Sequence, residues 1–369
     1  SYTFGVHMTK YLGEEGNLAP EGSVTFALDE AHVTELYGTP VPKIDDIRAA
    51  LYATLSSPVS HEPLESWVNP GDKVALIVSD MSRFWMRQDL VVPHIISYLT
   101  DKCDVNQNNI TIIIANGTHP GGDENELRTL VTDGVYDRIR VVNHDCQAKD
   151  LVYIGTTSLG TEVRINPIAA NADKVIMLGA CTYHVMAGYG GGRKSILPGI
   201  SGLETIRQNH LHSLDLLAPR SNPLIGNGVT DGNPLNEDMC QAAAMVKNLF
   251  GINLVTNADM QLAHIISGDP MKAWQLACHR VDEIYRVPIV KKADVIITSC
   301  GGYPKDMSLY QGTKIIDNVE SGLNAGGTLI VLMEAVEGGG PAQYFDWLKP
   351  LKEGRLYEEL KAGFTIPGY

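Results

Sequence analysis

Short runs of β-branched and aliphatic residues recur along the chain at Val74–Ser79, Ile110–Ala115, Ile139–Val142, Val175–Leu178, Val295–Ser299 and Thr328–Met333, and the segments between them mostly carry helical periodicity. This alternation predicts an α/β fold with mainly parallel sheets. The runs are almost continuously apolar, a pattern that suits strands covered by helices on both faces. Helix starts are readable too: Asp123 with Glu126, and Ser201 with Glu204, match the capping box, and the second predicts a helix over 202–211 carrying His210 near its far end.

At 369 residues the chain exceeds the size of a single core, which predicts two α/β domains with an active-site cleft between them. The stretch Tyr285-Arg-Val-Pro-Ile289 precedes a fresh strand and marks the expected boundary. Residues 1–285 are then an N-terminal domain carrying the main loops, and 286–369 a C-terminal domain closing the cleft. The segment to about Pro70 is less regular and is expected to supply edge strands; Pro367-Gly-Tyr369 follow soon after one strand and a helix, so the second domain reads as small or shortened.

Charge narrows the partners. Forty-three acidic against 29 basic residues give a formal charge of -14, which argues against nucleic acid and anionic membrane as partners. No apolar run reaches the roughly 18 residues of a membrane helix, and Ser1-Tyr-Thr-Phe lacks signal-peptide character, so a cytoplasmic protein is expected. The six cysteines are dispersed, without C-x-x-C spacing, and read as reduced and mostly buried.

In open α/β sheets ligands bind beyond the carboxyl ends of the strands, so the loops after the predicted strands are where chemistry is sought. Four stand out: Asp80-Met-Ser-Arg83, Asn116-Gly-Thr-His119, Thr182-Tyr-His184 through Lys194-Ser195, and Gly301-Gly-Tyr-Pro304. Asp80 and Arg83 taken alone equally suit a helix cap with a surface ion pair. His119, after a Gly-Thr turn, offers a side chain whose ordinary pKa suits proton transfer near neutrality. In His184-Val-Met-Ala-Gly-Tyr-Gly-Gly-Gly-Arg-Lys194, four glycines beside two cations read as a backbone cradle for an anion such as phosphate. It is neither a P-loop, since Arg193 separates Gly192 from Lys194, nor a G-x-G-x-x-G fingerprint. Lys194 is a phosphate clamp or a nucleophile on this reading. His210 and His212 point to different faces of a helix, so at most one of them is a metal ligand. Tyr310, Gln311 and Lys314 fall on a predicted helix, with Gln311 and Lys314 on one face able to reach a carboxylate. His94, His144, His264 and His279 read as structural.

Taken together, Asp80-x-x-Arg83, Gly117-Thr-His119, His184 followed ten residues on by Lys194, Pro198-Gly-Ile, Asn209-His210 and Gly301-Gly-Tyr-Pro-x-Asp306-x-x-x-Tyr310-Gln311-x-x-Lys314 resemble the nickel-dependent lactate racemase family. The resemblance covers about Pro70 to Trp347. It implies a racemase or epimerase of 2-hydroxy acids with a nickel-pincer nucleotide, pyridinium-3-thioamide-5-thiocarboxylic acid mononucleotide, tethered to Lys194, and nickel bound by His210. His119 and His184 match the family's two acid/base residues. Arg83, Tyr310, Gln311 and Lys314 match the residues around the substrate carboxylate, with Asp80 and Arg83 also beside the cofactor. Gly190, Gly191, Gly192 and Arg193 match its phosphate-side loop. A small 2-hydroxy acid and the cofactor's maturation enzymes are the implied partners.

The sequence departs from the family at Phe84-Trp85, Pro120 and Tyr183, which border the expected cleft and leave open which 2-hydroxy acid is used. Two other readings are a nickel-free phosphate-handling transferase or lyase using the glycine loop, and a non-catalytic nucleotide-binding protein.

Overall fold

The β-branched runs become the strands of one six-stranded sheet in the computed structural model, which describes residues 2–11, 18–28, 33–303, 305–340 and 342–363. Its strands are β3 (Val74–Ser79), β4 (Ile110–Ala115), β5 (Arg140–Asn143), β8 (Lys174–Ala180), β11 (Leu249–Thr256) and β12 (Leu262–Gly268), in the order β12-β11-β8-β3-β4-β5. All neighbours are parallel except β11 and β12. The expected α/β class with mainly parallel strands is therefore what the chain adopts.

The continuous apolar runs have the expected cause. Val74, Leu76 and Val78 of β3 enter one core with Ile112, Ile176 and Leu178, whereas Ala75 and Ile77 enter the other with Ile113, Val175 and Met177. Successive side chains point to opposite faces, so a strand buried on both sides needs an apolar residue at every position. Helices Ile47–Ser56, Val92–Asp101 and Glu124–Val131 contribute to the first core, and Leu203–Leu211 and Pro234–Ala244 to the second.

Two antiparallel pairs lie beside this sheet, β6 (Val152–Thr156) with β7 (Glu162–Ile165) and β9 (Tyr183–His184) with β10 (Gly188–Tyr189). Asp123 caps its helix as predicted, accepting from the Glu126 N–H at 2.9 Å. Ser201 does not: its hydroxyl donates to the Ile196 carbonyl at 2.7 Å, and Gly202 stands at the cap of Leu203–Leu211 without a side-chain bond.

The chain forms two units. The larger takes Thr39–Tyr285 and the described residues from Tyr357; the smaller takes the described residues up to Gly38 with Arg286–Leu356. This grouping differs from a contiguous division after residue 285, because the hairpin β1 (Tyr2–Tyr11) and β2 (Leu18–Leu28) belongs with the later residues, β1 lying beside β13 (Ala293–Ser299). In the smaller unit β13 pairs in parallel with β14 (Leu323–Leu332). Pro367 to Tyr369, and Pro304 of the fourth loop, lie outside the described residues. No helix among the described residues is long and apolar enough to cross a membrane.

Leu76 is fully buried at the centre of the sheet, whereas Leu217 is 97% exposed. Leu76→Ala is expected to cost about 3 kcal/mol of unfolding free energy in a urea titration, and Leu217→Ala less than about 0.5 kcal/mol. Equal effects of the two would contradict this assignment of the core.

Candidate active site

Strands β4 and β5 follow β3 outward on one side, and β8, β11 and β12 extend on the other, so the winding reverses between β3 and β8. A sheet of this kind leaves a crevice at the carboxyl ends of the strands around the reversal. The loops that leave β3, β4 and β8 carry Asp80, His119 and His184.

Asp80 and His119 meet there. The Asp80 carboxylate Oδ2 is hydrogen-bonded to His119 Nδ1, and its Oδ1 accepts from the Ser82 hydroxyl at 2.6 Å. Burial by itself would raise the Asp80 carboxyl, but the bond and charge of His119, with Ser82 and Arg83, outweigh it and hold the group below the ordinary carboxylate range. Asp80 thus makes no side-chain cap; it fixes the His119 ring and leaves Nε2 as the nitrogen able to exchange a proton. Arg83 Nη1 donates to the Ser82 hydroxyl at 3.1 Å, which draws the guanidinium beside the same carboxylate.

The His119 loop is held from two sides. Asn116 is buried and donates to Asn143 and to the His144 carbonyl, both at 3.1 Å. Gly117, at φ 55°, donates its N–H to the Gly199 carbonyl at 3.0 Å. Gly199 in turn donates to the Lys194 carbonyl at 3.0 Å, so the backbone couples the His119 loop to the turn that holds Lys194.

His184 is buried in the β9–β10 hairpin, where its Nδ1 accepts the N–H groups of Met186 and Ala187 at 3.2 and 3.1 Å. A neutral ring with Nδ1 as acceptor carries its proton on Nε2. That nitrogen lies 3.0 Å from Lys194 Nζ. The amine of Lys194 and the His184 ring are therefore within hydrogen-bond reach of each other.

The glycine loop is coiled around Arg193. Arg193 is 2% exposed and lies over the Trp274 ring, 3.8 Å from its centroid. Its Nε and Nη2 donate to Asn236 at 3.0 and 2.7 Å, its Nη2 to the Ala187 carbonyl at 2.7 Å, and its Nη1 to the Tyr189 carbonyl at 2.8 Å. The Gly190 and Gly192 N–H groups are also committed, to the Thr182 carbonyl at 2.8 Å and to Asn253 at 2.9 Å. Arg193 and the Gly190 and Gly192 N–H groups are thus bonded within the protein. The glycines let the backbone approach protein: a Cβ at Gly192 would sit 2.8 Å from Trp274, and one at Gly191 3.1 Å from the Ala180 carbonyl.

His210 is fully buried near the end of Leu203–Leu211. Burial, together with a positive charge on Lys194 whenever that amine is protonated, pushes its imidazole down to about 3. The ring is neutral at physiological pH and keeps a lone pair for a metal. Among the described residues no three His, Cys, Asp or Glu side chains cluster closely enough to hold a metal by themselves. The neighbouring Asn209 donates to the buried Asp238 at 2.9 Å, and Asp238 also accepts from the Thr157 and Thr161 hydroxyls. His144 is structural as expected, with Nε2 on the Ser201 carbonyl at 2.8 Å and Nδ1 near the Asn166 amide.

Tyr310, Gln311 and Lys314 lie in the smaller unit. They do not share one helix: Leu309–Gly312 and Lys314–Val319 are separate short segments, the first capped by Ser308. Asp306 is buried and anchors the following loop by accepting the Glu334 N–H at 3.1 Å. Asn236, Asn253 and Trp274 were not among the sequence candidates. Asn253, a lone amide inside an apolar strand with all eight residues buried, is the one with a readable signal.

Two histidines with fixed ring orientations thus lie on the segments leaving β4 and β8 at the reversal of the sheet, one of them touching a lysine amine. Residues 21–220 match the lactate racemase N-terminal domain and 289–362 the lactate racemase C-terminal domain. The chain is 31% identical over 301 residues to the lactate racemase of Thermoanaerobacterium thermosaccharolyticum, covering 81% of this chain and 68% of that one. It is 30% identical over 293 residues to the lactate racemase of Lactiplantibacillus plantarum, covering 79% and 67%. The structure of the lactate racemase apoprotein from Thermoanaerobacterium thermosaccharolyticum is similar with a TM-score of 0.81 at 27% identity, over 93% of this chain and 78% of that one. A Thermotoga maritima protein shares the fold, at a TM-score of 0.60 and 17% identity over 86% and 80% of the chains. The chain belongs to the lactate racemase family, and by that membership it is an isomerase.

Arg193→Lys keeps the charge but loses the fork on Asn236 and the bonds to the Ala187 and Tyr189 carbonyls, and is expected to cost about 3 kcal/mol in chemical denaturation. An Arg193→Lys protein as stable as wild type would contradict this structural role of the guanidinium. His144 and His210 both have folded-state values below the ordinary histidine value, so the unfolded chain binds more protons and stability falls as pH drops below about 6.5. Each such ring contributes a slope of up to about 1.4 kcal/mol per pH unit in that window. Urea titrations at pH 7, 6 and 5 should show it, and His144→Gln should flatten it by about one proton; an unchanged slope would contradict the burial of a neutral His144.

Proposed function

We propose that the protein is a racemase that inverts the 2-carbon of a 2-hydroxy acid, with lactate as the first substrate to test and His119 and His184 as its two acid/base residues. The observation that carries this is the pair of histidines on the loops leaving β4 and β8, each ring held at Nδ1 and so working through Nε2. The two enantiomers present their hydroxyls differently, so inversion needs one group to take the hydroxyl proton and a second to return it. Asp80 stabilises the charge that His119 gains when it takes that proton. Arg83 binds the substrate carboxylate and orients it.

The residues present fit a nickel-pincer nucleotide. Lys194 would tether it through its amine, and His210 would ligate nickel through a neutral imidazole. A metal at His210 would draw its other ligands from the nucleotide, in keeping with the lack of a three-residue cluster among the described residues. When bound, the group supplies reversible hydride acceptance at the 2-carbon. The committed amides of Gly190 and Gly192 and the buried Arg193 weigh against a nickel-free phosphate enzyme or nucleotide binder built on this loop. Maturation enzymes are the implied protein partners, and a cytoplasmic location is proposed with them.

Protein co-produced with those maturation enzymes is expected to show a mass adduct and stoichiometric nickel that Lys194→Ala abolishes, and to interconvert D- and L-lactate or a related acid by chiral chromatography. His119→Asn and His184→Asn should each lower kcat by about 10²- to 10⁴-fold. Wild type that stays unmodified and metal-free, with no racemisation, would overturn the proposal.

A further inference from the structure

Helix Pro270–Tyr285 lies outside the residues assigned to chemistry, yet it grips both segments that carry them. Its Asp282 Oδ1 accepts hydrogen bonds from the Tyr183 and Tyr189 hydroxyls, each at 2.7 Å. These tyrosines partner each other across the hairpin, with ring centroids 5.4 Å apart, and the next pair along is His184 with Gly188. Two turns earlier on the same helix, Trp274 Nε1 donates to the Gly190 carbonyl at 2.9 Å.

We propose that Asp282 is a positioning residue that sets the orientation of the His184 ring through Tyr183 and Tyr189; this rests on the reading of His184 as an acid/base residue. Each strand of the hairpin is two residues long, too short to hold its own geometry. The two N–H groups that clasp His184 Nδ1 belong to its turn, so the direction of the hairpin is passed directly to the imidazole. One carboxylate oxygen receiving two phenol hydroxyls makes a charge-assisted fork that fixes both strands at once. Burial and Asp282 itself push the Tyr189 hydroxyl upward, so it remains a donor throughout the working pH range. A lost fork lets the hairpin rotate and breaks the 3.0 Å approach of His184 Nε2 to Lys194.

The test uses the full chain with Asp282→Ala, Asp282→Asn and the double variant Tyr183→Phe with Tyr189→Phe, each checked for folding by circular dichroism. In protein without cofactor, two-bond ¹H–¹⁵N spectra of the histidine rings should show His184 as one tautomer with Nδ1 unprotonated in wild type and Asp282→Asn. Asp282→Ala and the double tyrosine variant should show averaged tautomers. In loaded enzyme the same two should lose about tenfold in kcat with KM changed less than about twofold, and Asp282→Asn should recover most of it. Should Asp282→Ala fail to fold, the tyrosine pair, which loses only two hydroxyls, decides. An unchanged His184 ring spectrum in folded Asp282→Ala or in the folded double tyrosine variant overturns the proposal. Ring changes in variants of a wild type that does not racemise would sustain the positioning role and count against the proposed activity instead.

Discussion

The buried guanidinium of Arg193 is the interaction on which the rest of the site depends. It stacks on Trp274 and ties Asn236 to carbonyls at Ala187 and Tyr189, so one side chain joins two helices, a hairpin and the glycine loop. A cation in so dry a place persists only with its donors satisfied, and satisfying them forces the loop to coil around it. Lys194 is the next residue, and its direction follows from that coil. The glycines serve the same end, since any side chain at Gly192 would collide with the indole under the guanidinium.

Around this anchor the protein controls protons through hydrogen bonding. His119 is held by a carboxylate at Nδ1, His184 by two backbone N–H groups, and His144 by a carbonyl at Nε2. His210 is kept neutral by burial. Four imidazoles thus acquire four different characters from their surroundings. The membership of the lactate racemase family and the two fixed loop rings agree with each other without either being needed to establish the other.

Much of the fold was legible in the local pattern. Val74–Ser79 and Ile110–Ala115 are strands to the residue, and β5 and β8 differ from their predicted runs by a few residues at their ends. The loops that matter were legible for a topological reason, because ligand loops follow parallel strands. Less visible were β11 and β12, the hairpin β6–β7, and the break that separates Gln311 from Lys314. Ser201 shows why: a capping box is a statement about neighbours in sequence, and the hydroxyl found the nearer Ile196 carbonyl in space.

The sequence by itself determined which segments become strands, that both faces of the sheet are covered, and which loops carry histidine, lysine and arginine, because period and composition are local properties. Only the tertiary structure decided what each polar group is for. Arg193 reads as an anion-binding cation until Asn236 and Trp274 close on it from residues more than forty positions away. Asp282 carries no signal in the sequence, and its partners Tyr183 and Tyr189 arrive from 99 and 93 positions upstream. A polar side chain takes its role from its partner, and partners distant in sequence are chosen by the packing of the sheet and its helices.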